Sequence, residues 1–463
     1  MLFNSTAFVL FFFTFALVYH FVARSSRAKV WVMVVGSILF YGAWDFRFVP
    51  LLLGAGLYDF WVARAMNVEG TTPTRRKRLL VASLVMNLGV LAVFKYLGFF
   101  LEGTRGLFAA LGLKMHVPIA SFVLPVGISF YTFQSISYVV DVYRGNFQPK
   151  QRISEFLASL AFFPHLVAGP IIRASQLLPQ FTRISVGALS DYRRAYLLIA
   201  FGALKKTIAD LLSHSSDAFF QGTDPHSALD AWTGALAFAG QIYGDFSGYT
   251  DMAIGVALLL GFSIPDNFNL PYLAWSPSEL WRRWHMSLSS WLRDYLYIPL
   301  GGNRLHRDRN LFLTMVLGGF WHGAAWNFLL WGAYHGALLV GARWLPGTDA
   351  QPTGLQRVIR TVGMFYLTLI GWVLFRSTSL AGIGRALTDL HASSTPSTWD
   401  RDHVGTLVAC VAPLVGCHAL DWVAKHRTRW FDSRAVFVSV VVLAVAAAML
   451  FSEPSHVFIY FQF

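Results

Sequence analysis

The chain has 463 residues, of which 55% are hydrophobic and only 13% are charged. Soluble domains carry about 25% charged residues, so this composition excludes an ordinary soluble protein. In a membrane protein, the formal net charge of +13 indicates basic cytoplasmic loops that contact anionic headgroups. No basic stretch outside the membrane is interleaved with stacking aromatic residues, so we predict membrane lipid and no nucleic acid as partner.

Apolar segments run almost from end to end, which favours one integral membrane domain over residues 1–463. Crossing the hydrocarbon core takes about 20 residues, so we predict about 10 to 12 transmembrane helices. The segments 48–63 and 331–345 are short enough to be buried or re-entrant. The predicted spans are 6–22, 30–46, 48–63, 79–101, 117–140, 195–220, 231–262, 311–329, 331–345, 358–376, 404–424 and 435–452. Placing the basic clusters, such as Arg24, Arg27 and Lys29, on the cytoplasmic side puts the N-terminus outside.

Two segments do not read as simple spans. Residues 153–173 are apolar but are interrupted by Pro164, Gly169 and Pro170, and residues 263–310 mix Trp, Arg, Pro and Gly. Broken backbone is tolerated in a membrane only where protein or a water-filled cavity covers it. Both segments are therefore predicted to be re-entrant and to line an internal pathway.

Within the second segment, Ser276 is predicted to cap a helix that runs from Pro277 to about Leu296, with Glu279 completing a capping box. One face of this helix would carry Trp281, Trp284, His285 and Leu288. The pattern places a histidine among tryptophans. An interfacial amphipathic helix with snorkelling arginines explains the same pattern equally well.

A second histidine, His322, lies in the middle of the apolar span 311–329. An ionisable residue at that depth is costly, which indicates a function. Gly319 and Gly323 would let another backbone or a substrate approach it, and Asn327 could orient a neighbour or hold an oxyanion. The alternative, a core histidine bonded to a carbonyl group, suits His335 better.

Further polar residues lie in the segment 243–251, where Asp245 and Asp251 are predicted to pair with arginines or to support the histidines. Ser247 is not part of a G-x-S-x-G elbow, which argues against a hydrolase nucleophile. No H-E-x-x-H or Cys/His spacing is present, so we predict no metal site.

Together these residues suggest acyl transfer. A neutral imidazole can take the proton from a hydroxyl group as that group attacks an activated thioester, with no metal and no bound cofactor. Basic residues that suit the phosphates of a small-molecule acyl donor at the cytoplasmic mouth are Arg282, Arg283 and Arg304. This reasoning alone does not separate an enzyme from a transporter or flippase of an acylated carrier, or from a scaffold for external enzymes.

Motifs along nearly the whole chain resemble the membrane-bound O-acyltransferase family, specifically its bacterial alginate O-acetylation branch. No single motif is specific, but the combination is. The motifs are 124–134 (LPVGISFYTFQ), 163–171 (FPHLVAGPI), 243–251 (YGDFSGYTD), 267–272 (NFNLPY), 281–285 (WRRWH), 319–323 (GFWHG) and 458–463 (FIYFQF).

The resemblance implies an all-α polytopic fold, in which tilted transmembrane helices and re-entrant helices surround a central tunnel. It implies that His322 is the catalytic histidine and His285 its partner. Residues expected to support them or to line the tunnel are Asn327, Trp321, Trp284, Asp245 and Asp251.

The resemblance also implies a location and a reaction. Acetyl groups would come from a cytoplasmic donor, acetyl-CoA, and would cross the bacterial inner membrane. Periplasmic acetyltransferase partner proteins would then place them on an exported polysaccharide. The motifs do not separate alginate from cellulose or peptidoglycan as that polymer.

Overall fold

A computed structural model describes most of the chain, and every regular element in the described part is helical, with no strand there. This confirms the predicted all-α class. The beginning of the predicted span 117–140 and the closing motif 458–463 lie outside the described residues. The described ranges are 1, 3–113, 123–149, 152–182, 191–222, 227–348, 350–392, 401–426 and 428–451.

The chain divides into two compact units. The first contains Met1–Ser190 and Val256–Pro265, and the second contains Asp191–Gly255 and Asp266–Phe463. The single membrane domain over residues 1–463 stays a prediction, as does the central tunnel.

The first unit contains helices that begin at hydroxyl caps, as the sequence chemistry favours. The side chains of Ser5, Ser25 and Thr72 accept hydrogen bonds from backbone N–H groups three residues further on. The helices are α1 (Thr6–Leu17), α2 (Ser26–Asp45), α3 (Val49–Met66), α4 (Pro73–Leu91), α5 (Leu97–Ala110), α6 (Ile128–Tyr143), α7 (Ile153–Leu160), α8 (Phe163–Leu166) and α9 (Ala174–Thr182).

The segment 153–173 is broken as predicted, into α7, the single turn α8 and an irregular stretch. The turn is held by buried hydrogen bonds. The backbone N–H of Phe163 donates to Ser37 Oγ at 3.3 Å, and His165 Nε2 lies 3.0 Å from Gln134 Oε1. A β-carbon on Gly127, at φ 74°, would overlap the carbonyl oxygen of Leu166, so this close approach requires glycine. The re-entrant position of the segment stays a prediction.

The described part of the second unit contains two long helices, two short broken ones and six further helices, and it carries both histidines of interest. Its helices are α10 (Tyr192–Gln221), α11 (Ala228–Leu259, whose last turn from Val256 belongs to the first unit), α12 (Pro277–Trp281), α13 (Met286–Leu292), α14 (Arg307–His322), α15 (Trp326–Trp344), α16 (Gly354–Arg376), α17 (Leu380–Ala392), α18 (Arg401–His426) and α19 (Arg434–Leu450).

Four helical stretches of the described chain are long and apolar enough to cross a membrane by length and composition. The number is lower than the predicted 10 to 12, partly because long helices such as α10 and α11 carry several buried Lys and Asp residues. These stretches confirm an integral membrane protein. They are Ser26–Met66, Pro73–Ala110, Gly354–Arg376 and Leu407–His426.

Buried ion pairs link the long helices, and they correct one prediction. Asp251 lies 2.6 Å from Lys205 Nζ, which also lies 2.5 Å from Asp421. Asp245 lies 3.2 Å from Lys206 Nζ. The predicted pairing of Asp245 and Asp251 with arginines was wrong, because the facing helix α10 presents two adjacent lysines. Buried charges need partners, and the attraction between the two charges of each pair offsets the cost of removing them from water.

Candidate active site

The segment that carries His285 is not the continuous helix that the sequence predicted. Ser276 caps α12 as expected, with its Oγ accepting a hydrogen bond from Glu279 N at 3.2 Å. The helix ends at Trp281, and α13 begins only after His285, whose φ of 43° and ψ of 52° are left-handed. The prediction was wrong because this backbone conformation interrupts the helical repeat. Such strained residues are concentrated at functional sites.

Because the helix is broken, the predicted common helical face does not exist, although Trp281 and Trp284 join one aromatic cluster through the stacked rings of their partners. Trp281 packs edge-on against Trp331, with ring centres 5.7 Å apart. Trp284 packs instead against Trp372, at 4.7 Å. His285 itself packs against Phe246, with ring centres 4.7 Å apart.

His285 is completely buried and is oriented by Asn267, a residue that the sequence analysis did not single out. Its Nδ1 lies 3.1 Å from Asn267 Oδ1. The same oxygen accepts hydrogen bonds from the N–H and hydroxyl groups of Ser287, at 3.2 and 2.8 Å. Since the backbone N–H of Ser287 can only donate, the atom facing it is the amide oxygen, and His285 Nδ1 must carry a proton. In the neutral ring, Nε2 then holds the lone pair.

Backbone hydrogen bonds between the segments 267–269 and 283–286 hold Asn267 beside His285. Met286 N donates to the carbonyl oxygen of Asn267, and Asn269 N donates to that of Arg283, both at 2.9 Å. This short ladder fixes the register of the two segments. No local signal near His285 could have revealed a partner 18 residues earlier, although the motif 267–272 had been noted for its resemblance.

His322 is the last residue of α14 and only 6% exposed. A continuous span over 311–329 was a wrong prediction, because the helix ends there and residues 323–325 are not helical, whereas the depth of His322 in the membrane stays a prediction. Its ring contacts Trp331 edge-on at 5.1 Å and Phe375 at 5.4 Å. The imidazole is therefore enclosed by aromatic rings at the end of a helix.

The fold brings His285 and His322 together, 37 positions apart in the chain. Their ring centres are 6.4 Å apart, with an angle of 54° between the ring planes. Trp321 lies beside both, 6.2 Å from His285 and 5.0 Å from His322. At this separation both imidazoles can act on one reacting group, in surroundings from which water is largely excluded.

Glycines position His322 by letting α14 and α15 pack backbone to backbone. A β-carbon on Gly319 would overlap the carbonyl oxygen of Phe328 and lie 3.0 Å from Gly332 Cα. One on Gly332 would lie 2.9 Å from Val316 Cα. The predicted close approach at Gly319 is thus confirmed, and its partner is another backbone.

Asn327 fixes the far wall of the site. Its Nδ2 donates to the carbonyl oxygen of Phe375 at 3.0 Å, which ties the start of α15 to the end of α16. Because the Phe375 ring contacts His322, this bond links Asn327 to a neighbour of the catalytic candidate, and the orienting role stays a prediction. A role in holding an oxyanion stays a prediction.

The arginines predicted to bind donor phosphates differ in their surroundings. Arg283 is committed to Glu279, with Nε 2.6 Å from Oε1, and lies over the Trp275 ring. Arg282 and Arg304 are exposed. Their phosphate-binding role stays a prediction. Among the described residues, no group of three or more His, Cys, Asp or Glu is placed to hold a metal ion.

The comparisons with known proteins identify the family of this apolar helical chain. The family model of MBOAT, the membrane-bound O-acyltransferase family, matches residues 150–381. The chain belongs to this family and is an acyltransferase of the membrane-bound type.

Relatives named for O-acetylation cover most of the chain. The "Probable alginate O-acetylase AlgI" of Azotobacter vinelandii and that of Pseudomonas aeruginosa are each 41% identical over 82% of this chain, and over 76% and 73% of their own. The peptidoglycan O-acetyltransferase of Helicobacter pylori is 32% identical over all of this chain and 98% of its own. The resemblance to the family is confirmed.

Asn267→Ala should lower the turnover rate about tenfold, because it removes the oxygen that fixes the His285 ring. The same change leaves the N–H and hydroxyl groups of Ser287 without this acceptor. The acyl-transfer rate and KM of purified protein would be compared with those of Asn87→Ala. Asn87 is another buried amide, whose Nδ2 donates to Asp59 in the first unit. Unchanged turnover in the Asn267 variant would contradict the assigned role.

Proposed function

We propose that this protein takes acetyl groups from a cytoplasmic donor, acetyl-CoA, and passes them across the bacterial inner membrane for O-acetylation of an exported polysaccharide, alginate. The observation that carries the proposal is the buried pair His285 and His322, with ring centres 6.4 Å apart. The similarity to relatives named alginate O-acetylases supports the acetyl group and the polymer.

In the proposed reaction, His322 is the general base. Its imidazole takes the proton of an acceptor hydroxyl group while the hydroxyl oxygen attacks the carbonyl carbon of the thioester. The carbon–sulfur bond breaks, and the imidazolium returns the proton to the leaving thiolate. The products are an acetyl ester and a free thiol, so no redox partner is needed.

His285 is the second acid–base partner. Asn267 keeps its Nδ1 protonated, so Nε2 of the neutral ring can accept a proton or orient the reacting group. The aromatic walls formed by Trp321, Trp331 and Phe375 exclude water, which strengthens polar interactions in the site and protects the thioester from hydrolysis.

Access from two sides completes the proposal. The exposed Arg282 and Arg304 would attract the phosphates of the donor, since guanidinium groups bind phosphate through paired hydrogen bonds. The acceptor hydroxyl would come from the periplasmic side, where acetyltransferase partner proteins place the acetyl group on the polymer.

A second candidate polymer is peptidoglycan. The relative named peptidoglycan O-acetyltransferase aligns with all of this chain and 98% of its own, a wider coverage than the alginate relatives have. The same histidine chemistry would serve both polymers.

The donor can be tested with purified protein and acetyl-labelled CoA. We expect release of free CoA and transfer of label to a hydroxyl acceptor, both lost in His322→Ala. Label that moves across a vesicle membrane without CoA release would favour a flippase and contradict the proposal.

The polymer can be tested by expression in strains that lack O-acetylation of either alginate or peptidoglycan. Restored acetyl esters on alginate would support the proposal, and restoration on peptidoglycan alone would select the second candidate.

A further inference from the structure

The first unit, which does not contain the histidine pair, has a basic cavity. Its volume is about 750 Å³, and it opens beside the N-terminal turn of α2. Arg27 of α2 and Arg152, just before α7, line it together with Glu155. Two positive charges against one negative charge leave a net charge of +1, and the Arg152–Glu155 pair is loose at 3.9 Å. The cavity therefore favours an anion.

An apolar groove lies further along α2 and shares the lining residue Trp31 with this cavity. Its volume is about 680 Å³, and it runs between α1 and α2. Leu10 and Phe11 of α1 form one wall, and Val35 and Leu39 of α2 form the other. Leu10, Val35 and Leu39 are 65%, 53% and 60% exposed, so residues of both walls face the surroundings of the helices. In a membrane protein those surroundings are hydrocarbon chains.

Trp31 joins the two spaces, since it lines both the cavity and the groove and is 52% exposed. Tryptophan prefers the level at which lipid headgroups meet the hydrocarbon, because one side of its ring is apolar and its N–H is polar. The site thus changes from charged to apolar at Trp31, as a membrane changes from charged headgroups to hydrocarbon.

We propose that the cavity and the groove together bind one anionic phospholipid, with its phosphate between Arg27 and Arg152 and an acyl chain between α1 and α2. A free phosphate or the phosphates of CoA would fit the cavity but would leave the groove empty. The Arg24, Arg27 and Lys29 cluster predicts the cytoplasmic leaflet, whose anionic lipids attract basic groups. This site is independent of the proposed acetyl transfer.

The floor of the groove also fits a bound chain. A β-carbon on Gly36 would overlap the Phe15 ring, so glycine lets Phe15 pack down onto α2 and leaves the space above it open. An acyl chain in that space would pack against the exposed apolar side chains of α1 and α2.

The test is a titration of purified, delipidated protein in detergent with phosphatidylglycerol, followed by native mass spectrometry and by the shift in Tm. Phosphatidylcholine with the same chains, inorganic phosphate and CoA serve as further probes. We expect one phosphatidylglycerol to bind and to raise Tm, with clearly weaker effects from the other three. Arg27→Gln with Arg152→Gln should weaken binding by roughly fivefold for each arginine.

Two further variants separate the site from general effects of charge and bulk. Val35→Trp fills the groove and should reduce phosphatidylglycerol binding while the arginines remain in place. The controls lie on α4, where Arg75, Arg78 and Val85 are exposed. Arg75→Gln with Arg78→Gln, and separately Val85→Trp, should bind phosphatidylglycerol as the unchanged protein does.

Equal binding by the Arg27/Arg152 double variant would overturn the proposal. So would equal stabilisation by phosphatidylcholine, which would show no selection for charge. If inorganic phosphate or CoA raised Tm as much as phosphatidylglycerol, the cavity would be a site for a soluble anion and the lipid would be excluded as its specific ligand.

Discussion

His322→Ala should lower the acetyl-transfer rate by about 100- to 10,000-fold, the usual contribution of a general base. The side chain is nearly buried at the end of α14, faces His285 across 6.4 Å and is walled by Trp331 and Phe375. Alanine removes the proton acceptor and leaves the backbone unchanged. The rate would be measured with labelled donor, and folding by size-exclusion chromatography and Tm.

The matched control is His335→Ala. His335 is also buried, and its ring contacts the same Trp331 ring at 4.9 Å, so its removal disturbs the same aromatic packing. We expect the His335 variant to retain most of its turnover. Equal losses in both variants would mean that packing, and not proton transfer, explains the effect of His322.

Gly319→Ala should destabilise the folded protein by about 3 kcal/mol, at the upper end of the usual cost of overpacking. The added methyl group would overlap the carbonyl oxygen of Phe328, and backbone cannot rotate aside as a side chain can. The α14–α15 pair would have to separate, which would move His322. Both the Tm measured in detergent and the acetyl-transfer rate would fall.

Gly341→Ala is the control for this substitution, because Gly341 lies in α15 with nothing within 4 Å of the added methyl group. Alanine is the better helix former by about 1 kcal/mol, so Tm should stay the same or rise slightly. A Gly319 variant as stable and active as the Gly341 variant would show that the close helix contact is not needed.

Local sequence chemistry determined much of the helical framework. A helix takes its caps and its apolar run from residues within one or two turns, so Ser276 and the breaks in 153–173 were predictable. The histidines could also be picked out, since polar residues in apolar surroundings are costly wherever they lie. The combination of seven motifs, two of which carry these histidines, further implied the family.

Only the tertiary structure decided how those residues are used. The left-handed conformation of His285 divides a segment that reads as one helix, and the backbone ladder with 267–269 accompanies it. The lysine partners of Asp245 and Asp251 depend on the register between α10 and α11. Such contacts join residues far apart in the chain, and a pattern that repeats every 3.6 residues carries no information about which neighbour a side chain will meet.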